Sequence, residues 1–298
     1  MLFETEFLRA TLRLATPLLL ASLGGTFMYH AAVPNVAKEG MMLIGAMVSF
    51  VISLSSGSPL IGLAAAILAA CGFGVVYALF VLAWRANVYA VGFTLNLLIA
   101  GLIAYVLRTF LGEESTLVSP SLPELPQVSL SLLSVVPFLD KVLNDHSVLI
   151  PVSFVLVIVV GMIVYQTPFG YWLRAAGMNP TALEAAGKRS NRVIFVSFML
   201  SASFCGLAGA HLSIGYLNLF SLNMVAGKGF IALAIVFLAR GRPLLVLLAS
   251  LTFGAAEAAA PRVPIEMLPP QFSLMFPYLA TLVIVTIVEA RRGGRIIV

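Results

Sequence analysis

The side chains that could do chemistry in this sequence are few, and each lies alone in an apolar run. His211 and Glu257 are titratable groups within hydrophobic stretches, where a proton-driven carrier keeps its relay. The alternatives are a buried hydrogen bond for His211 and an ion pair with Arg262 for Glu257. Cys71 and Cys205 have no His, Asp or second Cys at ligand spacing and are interpreted as small buried side chains. The sequence therefore predicts no metal site and no cofactor held by this chain.

The sequence contains no recognisable catalytic motif. AAGKRS at 185–190 ends like a phosphate-binding loop. That motif requires Gly-x4-Gly-Lys-Ser/Thr, but Ala182 and Arg189 occupy the first glycine and the hydroxyl positions. Neither His-Glu-x-x-His nor Gly-x-Ser-x-Gly occurs. The sequence thus predicts a protein that is not an enzyme and that takes its energy from a partner or from an ion gradient.

The composition indicates whether the chain folds in water or in a membrane. The chain has 298 residues, of which 61% are hydrophobic and 10% charged, and its mean hydropathy is +1.07. Soluble domains carry about 25% charged residues, so this chain cannot cover a water-facing surface. We expect an all-α, polytopic membrane protein with one transmembrane domain of about eight to ten helices. The net charge of +5 is attributed to membrane topology and not to nucleic-acid binding.

The apolar runs predict where the chain crosses the membrane. Spans are expected at about 14–29, 41–55, 60–83, 86–107, 148–166, 193–214, 243–260 and 272–289. A further run, 230–239, is too short to cross alone unless the polar turn before it lies at membrane depth.

Basic residues in short loops predict the orientation. They are Arg85, Arg174, Lys188, Arg189, Arg192, Arg240, Arg242, Arg291, Arg292 and Arg295. Counting spans places all of these loops on one side, which we expect to be the cytoplasm. The acidic loop 111–147 then faces outward, and nine spans place the N-terminus outside as well.

A polar segment, 167–192, separates two of the apolar runs and predicts two short helices. In the second, Asn179 is the expected N-cap, Pro180 takes the first helical position and Gly187 ends the helix. A helix of about two turns is marginal alone in water, so it should pack on something. A partner protein is one candidate, and the lipid interface is the other. The predicted contact residues are Asn179, Pro180, Ala182, Glu184, Ala185, Ala186 and Gly187.

Three stretches carry a family resemblance. GYWLRAAGMNPTALEAAGKRSNRV resembles the cytoplasmic coupling loop of ABC-transporter permeases, in the branch that imports ribose, branched-chain amino acids and nucleosides. Segments 16–46 and 207–244 are similar to the smaller permease of bacterial nucleoside importers. The chain departs from that pattern at HAAVPNVAKEG, where GVVNIGLEG is expected.

The resemblance implies the partners. They are an ATP-binding-cassette ATPase that holds ATP and Mg, a second and larger permease, and an extracytoplasmic lipid-anchored solute-binding protein. It also implies the bacterial cytoplasmic (inner) membrane as the location. A coupling loop would be polar, rigid and capped because it leaves the membrane and transmits a push.

Interrupted hydrophobic segments in corresponding places point to the solute path of a transporter. The predicted path residues are Asn35, Glu39, Asn96, Asn218, Phe220, Asn223 and Phe230. The alternatives are an interfacial pair of Lys38 with Glu39, an interhelical hydrogen bond for Asn96, and plain packing for the phenylalanines.

Two of these segments echo each other. NVAKEGMMLIGA begins at Asn35 and NMVAGKGFIALA begins at Asn223. The predicted topology places the first at the cytoplasmic side and the second at the outer side, as in an inverted repeat.

Together these observations predict an importer subunit for a small, neutral, polar solute. A nucleoside is the leading expectation, followed by a ribose-like sugar or a branched-chain amino acid. A gradient-driven secondary carrier and a non-transporting membrane scaffold are the alternatives from other classes. A secondary carrier would work without an ATPase, and a scaffold would need no polar path.

Overall fold

The computed structural model describes residues 2–128, 144 and 146–260. The predicted span 272–289, Arg262 and the basic residues 291–295 lie outside the described residues.

The described part of the chain is mostly helical. Its helices are α1 (Leu2–His30), α2 (Lys38–Ser56), α3 (Pro59–Ala78), α4 (Val88–Val106), α5 (Leu149–Gln166), α6 (Pro168–Met178), α7 (Pro180–Ala185), α8 (Ser190–Leu212), α9 (Lys228–Leu238) and α10 (Pro243–Ala259). Single π-helical turns extend α3 (Leu79–Ala83), α4 (Leu107–Leu111) and α8 (Ser213–Leu217). Within the described ranges, six helices are long and apolar enough to cross a membrane, and α9 and α10 are shorter apolar helices. The all-α polytopic prediction is confirmed.

Small residues allow the central helices to pack closely. Helix α1 packs against α8, α9 and α10, while α2 packs against α3 and α8. A Cβ on Gly45 of α2 would lie 2.9 Å from the Cα of Gly206 on α8. Close backbone approach at small residues is how membrane helices gain packing energy without a hydrophobic driving force. On the outward faces of α3, α4 and α5, large side chains such as Leu68, Leu97 and Ile158 are 71%, 76% and 65% exposed.

The two ends of the bundle differ. At one end, the backbone of His30 abuts Gly177, and the His30 imidazole Nε2 lies 3.0 Å from the carbonyl oxygen of Gly241. The last turn of α3, before Arg85, lies beside Arg192 at the start of α8. We call this the coupling end. The described basic loops therefore share one end, as the sequence predicts, and the cytoplasmic location of that end stays a prediction.

Two small antiparallel sheets lie at the opposite end. Strand β1 (Thr116–Val118) pairs with β4 (Leu219–Ser221), with Leu117 opposite Phe220. Strand β2 (Gln127–Val128) pairs with β3 (His146–Ser147). The described part of the loop 111–147 thus packs on the chain that follows α8. The N-terminal part of α1 is here too, because the Arg9 guanidinium donates to the Asn144 carbonyl at 3.2 Å.

The echoing segments enter the bundle from opposite ends and meet inside it. Asn35 reaches Ser201, partway along α8, and α2 then runs towards the sheet end, where Ser49 contacts Ser213 at 2.8 Å. Helix α9 runs the other way: Ser22 donates to the Ala232 carbonyl at 3.1 Å. The two segments therefore enter from opposite ends, as an inverted repeat requires, but both polar turns re-enter the bundle, so the segments meet inside it and do not lie at its two faces. The prediction that the turn before 230–239 lies at depth agrees with this arrangement.

Candidate solute path and coupling segment

One carboxylate joins the two re-entrant segments at the point where they meet. Glu39, in the first turn of α2, accepts hydrogen bonds from the backbone N–H groups of Gly227 at 2.7 Å and Gly229 at 2.8 Å. These N–H groups open α9 and have no partner within that helix. A carboxylate at a helix N-terminus is also favoured by the helix dipole. Glu39 therefore fixes the start of α9 to the start of α2.

A partly buried ion pair lies close to this point. The Lys228 ammonium contacts Glu257 of α10 at 2.6 Å, with side chains 12% and 22% exposed. Lys228 also interacts electrostatically with Glu39. Glu257 thus forms an ion pair that joins α9 and α10. The predicted pairing of Glu257 with Arg262 lies outside the described residues.

Lys38 does not pair with Glu39, so that alternative is wrong. Successive residues of a helix point in different directions. The Lys38 side chain is 1% exposed, and its Nζ has no hydrogen-bond partner within the described residues. It points towards Gly25 of α1, which leaves room for it by lacking a side chain. Lys38 stands where the resemblance leads us to expect leucine, and no carboxylate among the described residues pairs with it.

Two predicted amides hold the first turn of α2 in place. Asn96 of α4 accepts from the Gly40 N–H at 2.8 Å and donates to the Val36 carbonyl at 3.0 Å. Asn35 is fully buried, donates to Ser201 at 3.0 Å and accepts from the Ala37 N–H at 3.0 Å. For Asn96 the structure shows the interhelical bond that was the alternative reading. Both amides are directed at protein groups in this conformation.

The remaining predicted path residues separate into two pairs. Asn218 and Phe220 lie at the sheet end. Asn218 adopts a φ of +52° and donates to Glu124 at 2.6 Å, and Phe220 is fully buried within β4. Asn223 is exposed in the re-entrant turn, and Phe230 at the start of α9 is 39% exposed.

Phe230 stacks on a residue that sequence reasoning missed. Its ring lies 5.9 Å from that of Phe93, with an angle of 25° between the planes, and Phe93 is 53% exposed. Phe93 and Asn96 are three residues apart on α4 and so lie on one face of the helix. That spacing was a usable signal, but Phe93 was one of 20 phenylalanines. The stacked pair forms an accessible aromatic surface beside the polar turn.

The predicted coupling residues form a protruding, capped knob. Asn179, Pro180, Ala182, Glu184, Ala185, Ala186 and Gly187 are all exposed. Leu183 alone of α7 is buried, at 5% exposure, and anchors the helix to the bundle. Met178, just before α7, is 88% exposed. The exposed face therefore combines small apolar side chains with a few polar ones, and its role in docking a partner stays a prediction.

The caps that the sequence predicts are present. The Asn179 side chain accepts from the Ala182 N–H at 3.1 Å and from Thr181 Oγ1 at 2.7 Å. Gly187 follows with a φ of +79°, a conformation that favours glycine. The Lys188 ammonium lies 4.6 Å from the centre of the Trp172 ring, which ties the end of the segment to α6.

Comparison with known proteins identifies this architecture. The family described as "branched-chain amino acid transport system / permease component" matches residues 7–285. The chain belongs to this family. It is a permease of an ABC transporter and a multi-pass protein of the inner membrane. An ATPase and another permease subunit are the partners that such a permease implies.

Curated relatives of this permease match it over nearly its whole length. The guanosine ABC transporter permease NupQ of Bacillus subtilis is 29% identical, over 93% of this chain and 90% of the relative. The nucleoside ABC transporter permease NupC of Lactococcus lactis is 28% identical, over 92% and 89%. A Haloferax volcanii protein provisionally named as a glucose ABC transporter permease, TsgC13, is 28% identical, over 96% and 92%. No solved structure gives a significant match.

His211 of the permease satisfies a backbone group. Its Nε2 lies 3.3 Å from the carbonyl oxygen of Arg13. In a regular helix that carbonyl would accept from the N–H four residues later, but the residue there is Pro17, which has none. His211, fully buried, therefore supplies the hydrogen bond that Pro17 cannot. This is the structural alternative to a proton relay, and Pro17 was its overlooked sequence signal.

No group of three or more His, Cys, Asp or Glu side chains that could hold a metal ion occurs among the described residues of the permease.

Proposed function

We propose that this permease is the smaller of two membrane subunits of an importer for nucleosides, and that all ATP hydrolysis takes place on a partner ATPase. The knob 179–187 supports the assignment of the coupling surface. It is exposed and capped, and it lies at the same end of the bundle as the basic loops. A lipid-anchored binding protein would deliver the solute to the opposite end, where the two small sheets lie.

The aromatic pair supports a nucleoside as the solute. Phe93 and Phe230 present a stacked surface beside the exposed Asn223. A base can stack on such a surface, while an amide beside it can bond the base edge or the sugar. The names of the relatives NupQ and NupC, which specify guanosine and nucleoside, agree with this chemistry.

A sugar is the second candidate. The name of TsgC13 specifies glucose. Competition separates the two: vesicles holding both permeases, the ATPase and the binding protein would take up radiolabelled guanosine in the presence of excess uridine, ribose, glucose or leucine. We expect inhibition by uridine alone. Inhibition by glucose with no effect of uridine would replace the nucleoside by a hexose.

The fold offers a mechanical route from the coupling knob to the meeting point. Leu183 anchors α7, and the α6 residue Gly177 abuts the His30 backbone. His30 in turn contacts the Gly241 carbonyl just after α9. Helix α9 has 11 residues and is about 16 Å long. At its other end, the Gly229 N–H donates to Glu39.

Movement of the knob would therefore shift α9 along its axis and strain the hydrogen bonds between α9 and Glu39. We propose that release of Gly227 and Gly229 from this carboxylate accompanies the opening of the path beside Phe230. Alternating access then consists of α9 and its turn moving against α2 and α4. The proton-driven alternative has less support, because His211 and Glu257 are both engaged in structural contacts.

A further inference from the structure

An open groove lies at the coupling end of the bundle. It has a volume of about 460 Å³ and lies between the last turns of α3 and the first turns of α8. Leu79 and Leu82 line one wall, and Phe195 and Val196 line the other. Leu79, Phe195 and Val196 are 46%, 39% and 43% exposed. Both helices are long and apolar enough to cross a membrane, and the walls of the groove are exposed apolar side chains.

One end of the groove is basic and polar. Asn191 and Arg192 line it there. Arg189 lies three residues earlier, at the N-cap of α8, and Arg85 follows the helix that forms the other wall. All three arginines are exposed, and none forms an ion pair with a carboxylate within the part of the chain that the structure describes.

The level of this end along the bundle is that of a membrane surface. Trp84 directly follows the lining residue Ala83, is 64% exposed, and contacts Phe80 edge-on with ring centres 4.5 Å apart. Exposed tryptophan and arginine at the end of a span are typical of the headgroup region. Apolar walls thus extend into the bilayer, and an unpaired cationic rim lies where headgroups are found.

We propose that this groove binds one anionic phospholipid, with an acyl chain between Leu82 and Phe195 and the phosphate at Arg192. Basic pockets between membrane helices bind acidic headgroups through this combination of charge and hydrocarbon contact. An apolar protein segment would leave the arginines without counter-charge, and a free anion would leave the apolar walls uncovered. The proposal concerns the lipid-facing surface and stands apart from the solute assignment.

The test uses tryptophan fluorescence. The chain has two tryptophans, so a Trp172→Phe background leaves Trp84 as the reporter. The full chain is reconstituted in phosphatidylcholine bilayers that contain increasing fractions of phosphatidylglycerol with brominated acyl chains. In a parallel titration the brominated lipid is phosphatidylcholine. We expect brominated phosphatidylglycerol to quench Trp84 at lower mole fractions than brominated phosphatidylcholine does. A cation near the surface contributes about 1 kcal/mol, so Arg192→Gln should lower this selectivity roughly fivefold.

Matched variants locate the effect. Ala83→Phe, which fills the groove, should abolish the selectivity. Ala64→Phe on the same helix and Arg108→Gln at the opposite end are exposed controls that should leave it unchanged. Arg192→Gln, a surface change, keeps the test valid if Ala83→Phe fails to fold.

Equal quenching by the two lipids overturns the proposal, as does a loss of selectivity in the control variants equal to that in Ala83→Phe. So does competition by soluble glycerol phosphate, which would mean that a free anion suffices. Loss of the second permease from the purified complex in Arg192→Gln, with unchanged quenching, would make the groove a protein interface instead.

Discussion

Glu39 binds the first turn of α9 through the backbone N–H of Gly229, at 2.8 Å. The glycine is required by this contact, since a Cβ at position 229 would lie 2.7 Å from the Glu39 Cα. The starts of two oppositely directed helices are thereby joined inside the membrane, next to the exposed ring of Phe230.

Gly229→Ala should therefore separate α2 from α9. We expect a loss of about 1–3 kcal/mol in the free energy of unfolding, from strain and from weakened charge-assisted hydrogen bonds, and a larger loss of uptake. Thermal unfolding of the purified permease measures the first effect. Gly101→Ala is the control, because a Cβ there meets nothing within 4 Å and alanine favours the helix. Equal behaviour of the two variants would show that the contact is unimportant.

Ala185→Trp or Ala185→Asp should uncouple transport. Ala185 is exposed on the knob and contributes nothing to the core, so insertion and thermal stability should stay as in the native protein. Uptake and solute-stimulated ATP hydrolysis by the reconstituted complex should both be abolished, because a bulky or charged group disrupts docking. Ala64→Trp, also exposed, serves as the control. Undiminished uptake in the Ala185 variants would exclude 179–187 as the coupling surface.

The bond between His211 and the carbonyl of Arg13 predicts a dependence on Pro17. His211→Ala should destabilise the permease by about 1–3 kcal/mol, since it leaves a buried acceptor unpaired. Pro17→Ala restores the missing N–H, so His211→Ala should cost much less in that background. A double-mutant cycle by thermal unfolding measures the coupling. Strictly additive effects would mean that the histidine acts independently of the proline.

The aromatic pair predicts a graded loss of transport. Phe93→Ala and Phe230→Ala should each remove about 1–3 kcal/mol of stacking, which is roughly a five- to hundredfold loss in nucleoside uptake. Asn223→Ala should lose a similar amount if its amide bonds the solute. Phe110→Ala, 72% exposed at the sheet end, is the control. Loss of uptake in the control alone, or in none of the variants, would place the solute path elsewhere.

Local patterns in the sequence predicted local structure well. The apolar runs predicted the spans, and Asn179, Pro180 and Gly187 delimited α7 because caps depend on near neighbours in the chain. The short run 230–239 indicated a turn at depth, since its ten residues, like the 11 residues of α9, are too few to cross a bilayer alone.

Contacts between distant segments could not be predicted in this way. Lys228 reaches Glu257 and not a near neighbour, while Glu39 turns to Gly227 and away from Lys38. Which groups meet depends on the directions of whole helices, and one sequence contains no record of those directions. The same limit hid Phe93, whose role depends on α4 lying beside α9.

The source of energy is the most direct test of the account. Vesicles that contain both permeases, the ATPase and the binding protein would be loaded with ATP, and uptake of radiolabelled guanosine measured with and without a protonophore. His211→Gln, which keeps a side-chain donor, and Glu257→Gln would be measured in parallel. We predict uptake that requires ATP hydrolysis, is insensitive to the protonophore and stays coupled to ATP in both variants. Uptake that persists without ATP but disappears with the protonophore would contradict the account and identify a secondary carrier.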